Sequence, residues 1–172
     1  MRRDRDWLGR RHNIWVLSHL ACTIFKPPTK ASLIRICSVT DDDTYGFSHF
    51  KQLIFPEHYR DILHLKFDDV EIDGYGCIGF SPQQATQIVN FFETVPKDEP
   101  FVVHCWAGVS RSSAVAAAYT YYLGDKVKYE DVYMGTDFMP NKLVLKLLKH
   151  EINSRKYPWL GPELSAWIAQ ED

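Results

Sequence analysis

A thiol and a guanidinium stand six positions apart in the run His104-Cys105-Trp106-Ala107-Gly108-Val109-Ser110-Arg111-Ser112. The run joins a short apolar segment, Phe101-Val102-Val103, to an alanine-rich stretch from Ser113 to Leu123. A loop that turns sharply from a strand into a helix aims several backbone N–H groups at one point, here those of Trp106 to Arg111. The positive end of the helix dipole adds to them and makes an anion site. A cysteine at the centre of such a site is favoured as the thiolate, its nucleophilic form. Arg111 adds a planar fork that can hold two oxygens of a phosphate at once. Gly108 permits a backbone geometry, or a close approach, that a side chain would hinder. Ser112 brings a hydroxyl within reach of the sulfur, and His104 can bond backbone from behind the loop. These parts suit nucleophilic attack on phosphorus, with the transferring charge held by preorganised donors.

In the form His-Cys-x-x-Gly-x-x-Arg-Ser, the run resembles the signature of the cysteine-dependent protein tyrosine phosphatases. It looks most like their dual-specificity branch, which includes compact bacterial-type tyrosine phosphatases. The resemblance covers residues 13–150 or so and implies an α/β fold with a central, mostly parallel sheet flanked by helices. It divides the chain into a basic segment, 1–12, and one phosphatase domain, 13–172. It also implies a metal-independent phosphomonoesterase without a cofactor, acting on phosphotyrosine, and in the dual-specificity case also on phosphoserine and phosphothreonine, of proteins. Cys105 would be the nucleophile, Arg111 and the loop from Trp106 to Arg111 the phosphate holders, and Ser112 the group that helps release the thiolate. In the family a carboxylic acid just past the preceding strand protonates the leaving oxygen. Asp68, Asp69 and Asp73 are the candidates, and the second residue of the Asp68-Asp69 pair matches the family position best. Relatives also carry Pro-Asn before a late helix, as Pro140-Asn141 does here. There the asparagine supports the loop through a hydroxyl, which would be that of Ser110 or Ser112; Asn141 is equally an N-cap, and the two roles are compatible. The loop's variable positions, Trp106-Ala107 and Val109-Ser110, carry no lysine, whereas phosphoinositide-selective relatives usually place lysines there, so a non-protein substrate such as a phosphoinositide is kept as the less favoured alternative. The alternative from another class is a catalytically weak module that binds phosphorylated partners; such relatives lose the Cys, the Arg or the acid.

Composition sets bounds. At 172 residues the chain forms one domain with a full core. A net charge of −2 gives no reason to propose a nucleic-acid partner. Arg2, Arg3, Arg5, Arg10 and Arg11 make a basic start, expected to be a solvated terminus. No apolar stretch follows them as a leader would require, and no run of 18 apolar residues could span a membrane. Cys22, Cys37, Cys77 and Cys105 show no metal spacing, which with a reactive thiol points to the reducing cytoplasm. Any of the other three could pair with an oxidised Cys105, or be an ordinary thiol. The seven histidines are scattered without an i, i+4 pair, so no metal site is expected.

Strands are expected at Asn13–Leu17, Ser32–Val39, Asp61–Phe67 and Phe101–Val103, with a short edge strand or turn in Phe50–Pro56 and an acidic turn at Thr40–Tyr45. Ser81, Pro82 and Gln84 spell an N-cap, an N1 proline and a capping box, and Ala85, Ile88, Val89 and Phe92 form one apolar stripe behind them. Ala114–Leu123 reads as a buried helix ended by Gly124, and Tyr129–Tyr133 as a short one. Asn141–Ile152 reads as amphipathic, with Leu143, Leu147 and Leu148 inward and Lys142, Lys146 and Lys149 outward; Glu163–Ala169 reads as a last short helix.

Overall fold

The computed structural model describes residues 6–39, 48–72, 76–133, 135 and 137–157. Four strands run in one sheet: β1 Ile14–Ser18, β2 Ala31–Cys37, β3 Tyr59–Lys66 and β4 Phe101–Cys105. Their order is β1-β4-β2-β3 and every pairing is parallel. The carboxyl ends therefore share one edge, with Ser18 opposite Cys105 and Cys37 opposite Lys66. Loops at that edge are where open α/β sheets hold ligands.

All seven residues of β2 are buried, as a strand covered on both faces must be. The period of two along β4 then sorts the site. Phe101, Val103 and Cys105 belong to the large cluster formed with the helices, and Val102 belongs to a smaller one on the opposite face.

Among the described residues six α-helices flank the sheet: α1 Asp6–His12, α2 His19–Ile24, α3 Pro82–Thr94, α4 Arg111–Leu123, α5 Lys126–Tyr133 and α6 Lys142–Lys156. The capping box of α3 forms as its sequence spells it: Gln84 N donates to Ser81 Oγ at 3.3 Å and Ser81 N to Gln84 Oε1 at 3.0 Å. Its stripe buries Ala85, Ile88, Val89, Phe91 and Phe92, and the Phe92 ring meets Phe101 and Tyr119 at 5.8 and 5.0 Å. Gly124 ends α4 in the left-handed conformation, with φ at 72°.

Several expectations need correction. Residues 6–12 are not a frayed end: they form α1, Leu8 joins the large core, and His12 Nε2 meets Asp131 Oδ2 at 2.7 Å. The short helix α2 has no periodic signature, and only its N-cap is readable: Ala21 N donates to Ser18 Oγ at 3.2 Å. Of the strand and the turn left open for 50–56, the turn is what forms: residues 50–55 carry no strand and lead into a 3-10 turn at Pro56–His58. The buried stripe of α6 runs through Val144, Leu145, Leu148 and Ile152, with Leu143 and Leu147 at its margin. Lys149 lies inside it, only 3% exposed, because its ammonium sits over the Tyr121 and Tyr129 rings at 4.8 and 5.6 Å. The acidic turn at 40–45, Asp73 and the expected helix at 163–169 lie outside the described residues.

Candidate active site

Residues 106–110 form the loop between β4 and α4. Its carbonyls are bonded from outside. Trp106 O accepts from His19 N at 3.0 Å, Val109 O from Met139 N at 3.0 Å, and Ser110 O from Asn141 N at 3.3 Å. In a trans peptide the C=O and the following N–H point opposite ways. The N–H groups of Ala107, Ser110 and Arg111 therefore face away from those anchors, as a cradle requires. The Ser113 hydroxyl ties the loop to the first turn of α4, donating to Val109 O and Ser110 O.

Gly108 has φ at 71°, in the left-handed region. A Cβ there would lie 2.6 Å from Leu17 C and 2.7 Å from Ser18 N, backbone atoms at the end of β1. Both the dihedral and the approach exclude a side chain. Gly108→Ala is expected to displace the loop from β1 and lower the melting temperature, since a non-glycine residue held at such a φ costs about 1–3 kcal/mol. Loss of turnover of about 100-fold is expected as well, the scale set by a 1 Å misplacement. Thermal unfolding and steady-state rates of the purified variant check both.

Cys105 is 2% exposed and its Sγ lies 3.1 Å from Ser112 Oγ, itself fully buried. Arg111 is 4% exposed and anchored on one side only: Nη1 donates to Phe67 O at 2.7 Å and to Ser38 Oγ at 3.2 Å. Its Nε is buried without a hydrogen-bond partner, the nearest carboxylate oxygen being Asp69 Oδ2 at 3.9 Å.

The two adjacent acids are separated by their surroundings. Asp68 is buried and accepts from Val39 N at 3.0 Å and Ile78 N at 2.8 Å, pinning two loops to the end of β3. Asp69 has a side chain 39% exposed and sits over the cradle, where its Oδ1 accepts from Ser110 Oγ at 2.7 Å and Asn141 Nδ2 at 2.9 Å. Asn141 does cap α6, with Val144 N donating to its Oδ1 at 3.0 Å. The support expected from its amide toward the hydroxyl of Ser110 or Ser112 is not what forms. The amide donates to Asp69 and, at 3.4 Å, to Val70 O, because the carboxylate is the stronger acceptor within reach.

His104 does bond the backbone from behind, its Nδ1 lying 3.4 Å from Cys105 O. Its other nitrogen accepts from Arg35 Nε at 3.1 Å, a partner 69 positions away on β2. Burial, helped by the Arg35 charge, pushes His104 down to about 3, so the ring is neutral at ordinary pH. All four cysteines are free. Burial pushes the Cys22 thiol up to about 12 and that of Cys37 up to about 11, which keeps both protonated. Among the described residues no group of three or more His, Cys, Asp or Glu could hold a metal ion, and no helix is long and apolar enough to cross a membrane.

No sequence-family description and no curated protein matches this chain. Solved structures do. A mouse putative dual specificity phosphatase complexed with zinc tungstate superposes with a TM-score of 0.55 at 13% identity, over 86% of each chain. Human tyrosine phosphatase-like serine/threonine/tyrosine-interacting protein gives 0.52 at 19% identity, over 87% of this chain and 94% of that one. Human DUSP28 gives 0.52 at 13% identity, over 86% and 96%. Four parallel strands, the flanking helices and these superpositions together show that the chain has the dual-specificity phosphatase fold.

Proposed function

We propose that this chain is a cysteine-based phosphomonoesterase that hydrolyses phosphotyrosine, and with a shallow enough pocket phosphoserine and phosphothreonine, on proteins. The observation that carries the reading is the one-sided anchoring of Arg111. Its Nε edge makes no hydrogen bond, and the Asp69 carboxyl lies 3.9 Å from it over the same loop. In the first step the Cys105 thiolate attacks phosphorus, the P–S bond forms, the P–O bond breaks and Asp69 gives its proton to the leaving oxygen. Arg111 and the loop N–H groups hold the equatorial oxygens. Water then attacks phosphorus, Asp69 takes its proton, the P–S bond breaks and phosphate leaves. The Ser112 hydroxyl, 3.1 Å from the sulfur, stabilises the departing thiolate. These steps use protein groups alone.

The surroundings favour a single phosphate on a protein side chain. Trp106 is 36% exposed, and Met139 and Leu20 are exposed at 75% and 61%. Met139 N bonds the cradle directly, and Leu20 follows His19, which does the same. An apolar rim suits an aryl phosphate and a peptide better than a polyphosphate. A nucleophilic thiol also fits a reducing compartment such as the cytoplasm. The test is turnover of para-nitrophenyl phosphate in a chelator, then acid quenching and mapping of the phosphorylated residue. Label on Cys105, lost in Cys105→Ser together with turnover, is expected. Label elsewhere, or an active Cys105→Ser, overturns the reading. A panel of phosphopeptides then ranks phosphotyrosine against phosphoserine.

A further inference from the structure

We propose that Arg35 is a positioning residue for the nucleophile: from the face of the sheet opposite α3, α4 and α6 it fixes the tautomer of His104 and, through that ring, the peptide that joins Cys105 to Trp106. The proposal rests on the phosphatase reading for its catalytic consequence, though not for its geometry.

Arg35 and His104 are register partners on β2 and β4. The guanidinium is 4% exposed; Nε donates to His104 Nε2 at 3.1 Å, Nη2 to Lys51 O at 2.6 Å, and the Phe50 ring lies 5.3 Å away. No carboxylate pairs with it among the described residues. A guanidinium has donors only, so His104 Nε2 must be the acceptor. The ring proton is therefore on Nδ1, from which it donates to Cys105 O at 3.4 Å. Pinning that carbonyl fixes the plane of the peptide, and with it the Trp106 N–H on the opposite side and the root of the Cys105 side chain.

The charges facing His104 agree with this direction. Burial and the Arg35 charge disfavour a second proton on the imidazole, and the His19 ring, itself pushed down to about 4, lies 5.2 Å away. His19 is itself buried and accepts from Lys51 N at 3.2 Å through Nε2. The loop carrying Phe50 and Lys51 thus clamps both rings. An arginine buried with no carboxylate partner among the described residues is destabilising compared with the aliphatic residues flanking it in β2, Leu33, Ile34 and Ile36. Burial lowers the Arg35 pKa below its ordinary value. What the residue supplies in return is a fixed donor behind the nucleophile's strand.

The first measurement needs no variant: ring-nitrogen NMR shifts of His104 in the wild-type protein at neutral pH. The neutral Nδ1–H form is expected, and the Nε2–H form overturns the proposal. The second is a double-mutant cycle on kcat with Arg35→Met and His104→Ala. Arg35→Met alone is expected to lower kcat about tenfold, and to change it less than about twofold in the His104→Ala background. Losses that multiply would show that Arg35 does not act through His104. If Arg35→Met fails to fold, the wild-type NMR result decides. Failure of the wild-type protein to turn over any phosphoester would sink the phosphatase reading while the tautomer result still stands.

Discussion

Arg111→Lys is expected to lower kcat/KM for a phosphotyrosine peptide by about 1,000-fold or more, the scale for arginines that hold a transferring phosphoryl group. The loss is geometric rather than electrostatic, because lysine keeps the charge. In the wild-type protein one edge of the guanidinium is committed to Phe67 O at 2.7 Å and Ser38 Oγ at 3.2 Å, which fixes its plane. The Nε edge makes no hydrogen bond and lies 3.9 Å from the Asp69 carboxyl. Two oxygens of a trigonal-bipyramidal phosphoryl group match two parallel N–H bonds of such a plane. An ammonium that keeps the Phe67 carbonyl has no second, preoriented donor for the phosphate. One that turns to the phosphate leaves the buried carbonyl unpaired. Steady-state kinetics with thermal melts checks this: the variant should stay folded, with inorganic phosphate inhibiting it far more weakly. A loss of less than about tenfold would mean that Arg111 is only a structural anchor.

The parts of the site that were readable in sequence are those whose geometry is local. The cradle lies within nine consecutive residues, so the strand end, the glycine and the helix start all leave marks in one window. The same holds for the capping box of Ser81 and Gln84, and for Gly124 at the end of α4. What was not readable depends on pairing between distant segments. Arg35 stands in an apolar strand, and only its register with His104, 69 positions away, reveals its partner. Asn141 shows its cap in sequence, but the choice of Asp69 over the Ser110 or Ser112 hydroxyl follows from how the loop after β3 is placed. Lys149 reads as an outward charge on a helical wheel, and two tyrosines from α4 and α5 make its burial tolerable. The short helices α1 and α2, at 7 and 6 residues, are set by packing and caps more than by any periodic pattern.

The sharpest separation is expected between the adjacent acids, Asp68 and Asp69, which carry the same chemistry in different surroundings. Asp69→Asn should lower kcat for a phosphotyrosine peptide by about 100- to 10,000-fold, the range for a general acid. It should leave stability nearly unchanged, because the amide oxygen can still accept from Ser110 Oγ and Asn141 Nδ2. The loss should be much smaller with para-nitrophenyl phosphate, whose leaving group needs no proton at neutral pH. Asp68→Asn should do the reverse. Val39 N and Ile78 N both donate to the two oxygens of its buried carboxylate. An asparagine offers one acceptor and turns an N–H toward the other donor, which leaves a buried donor unsatisfied at about 1–3 kcal/mol. Denaturant unfolding should register that loss, and kcat of the folded fraction should fall only as far as the loop after β3 shifts Asp69 and the Phe67 carbonyl that holds Arg111. A loss that depends on the leaving group in Asp68→Asn and not in Asp69→Asn would reverse the assignment. The carboxylate that two backbone donors hold still would then be the acid, and the one exposed above the cradle would only brace Asn141 and Ser110.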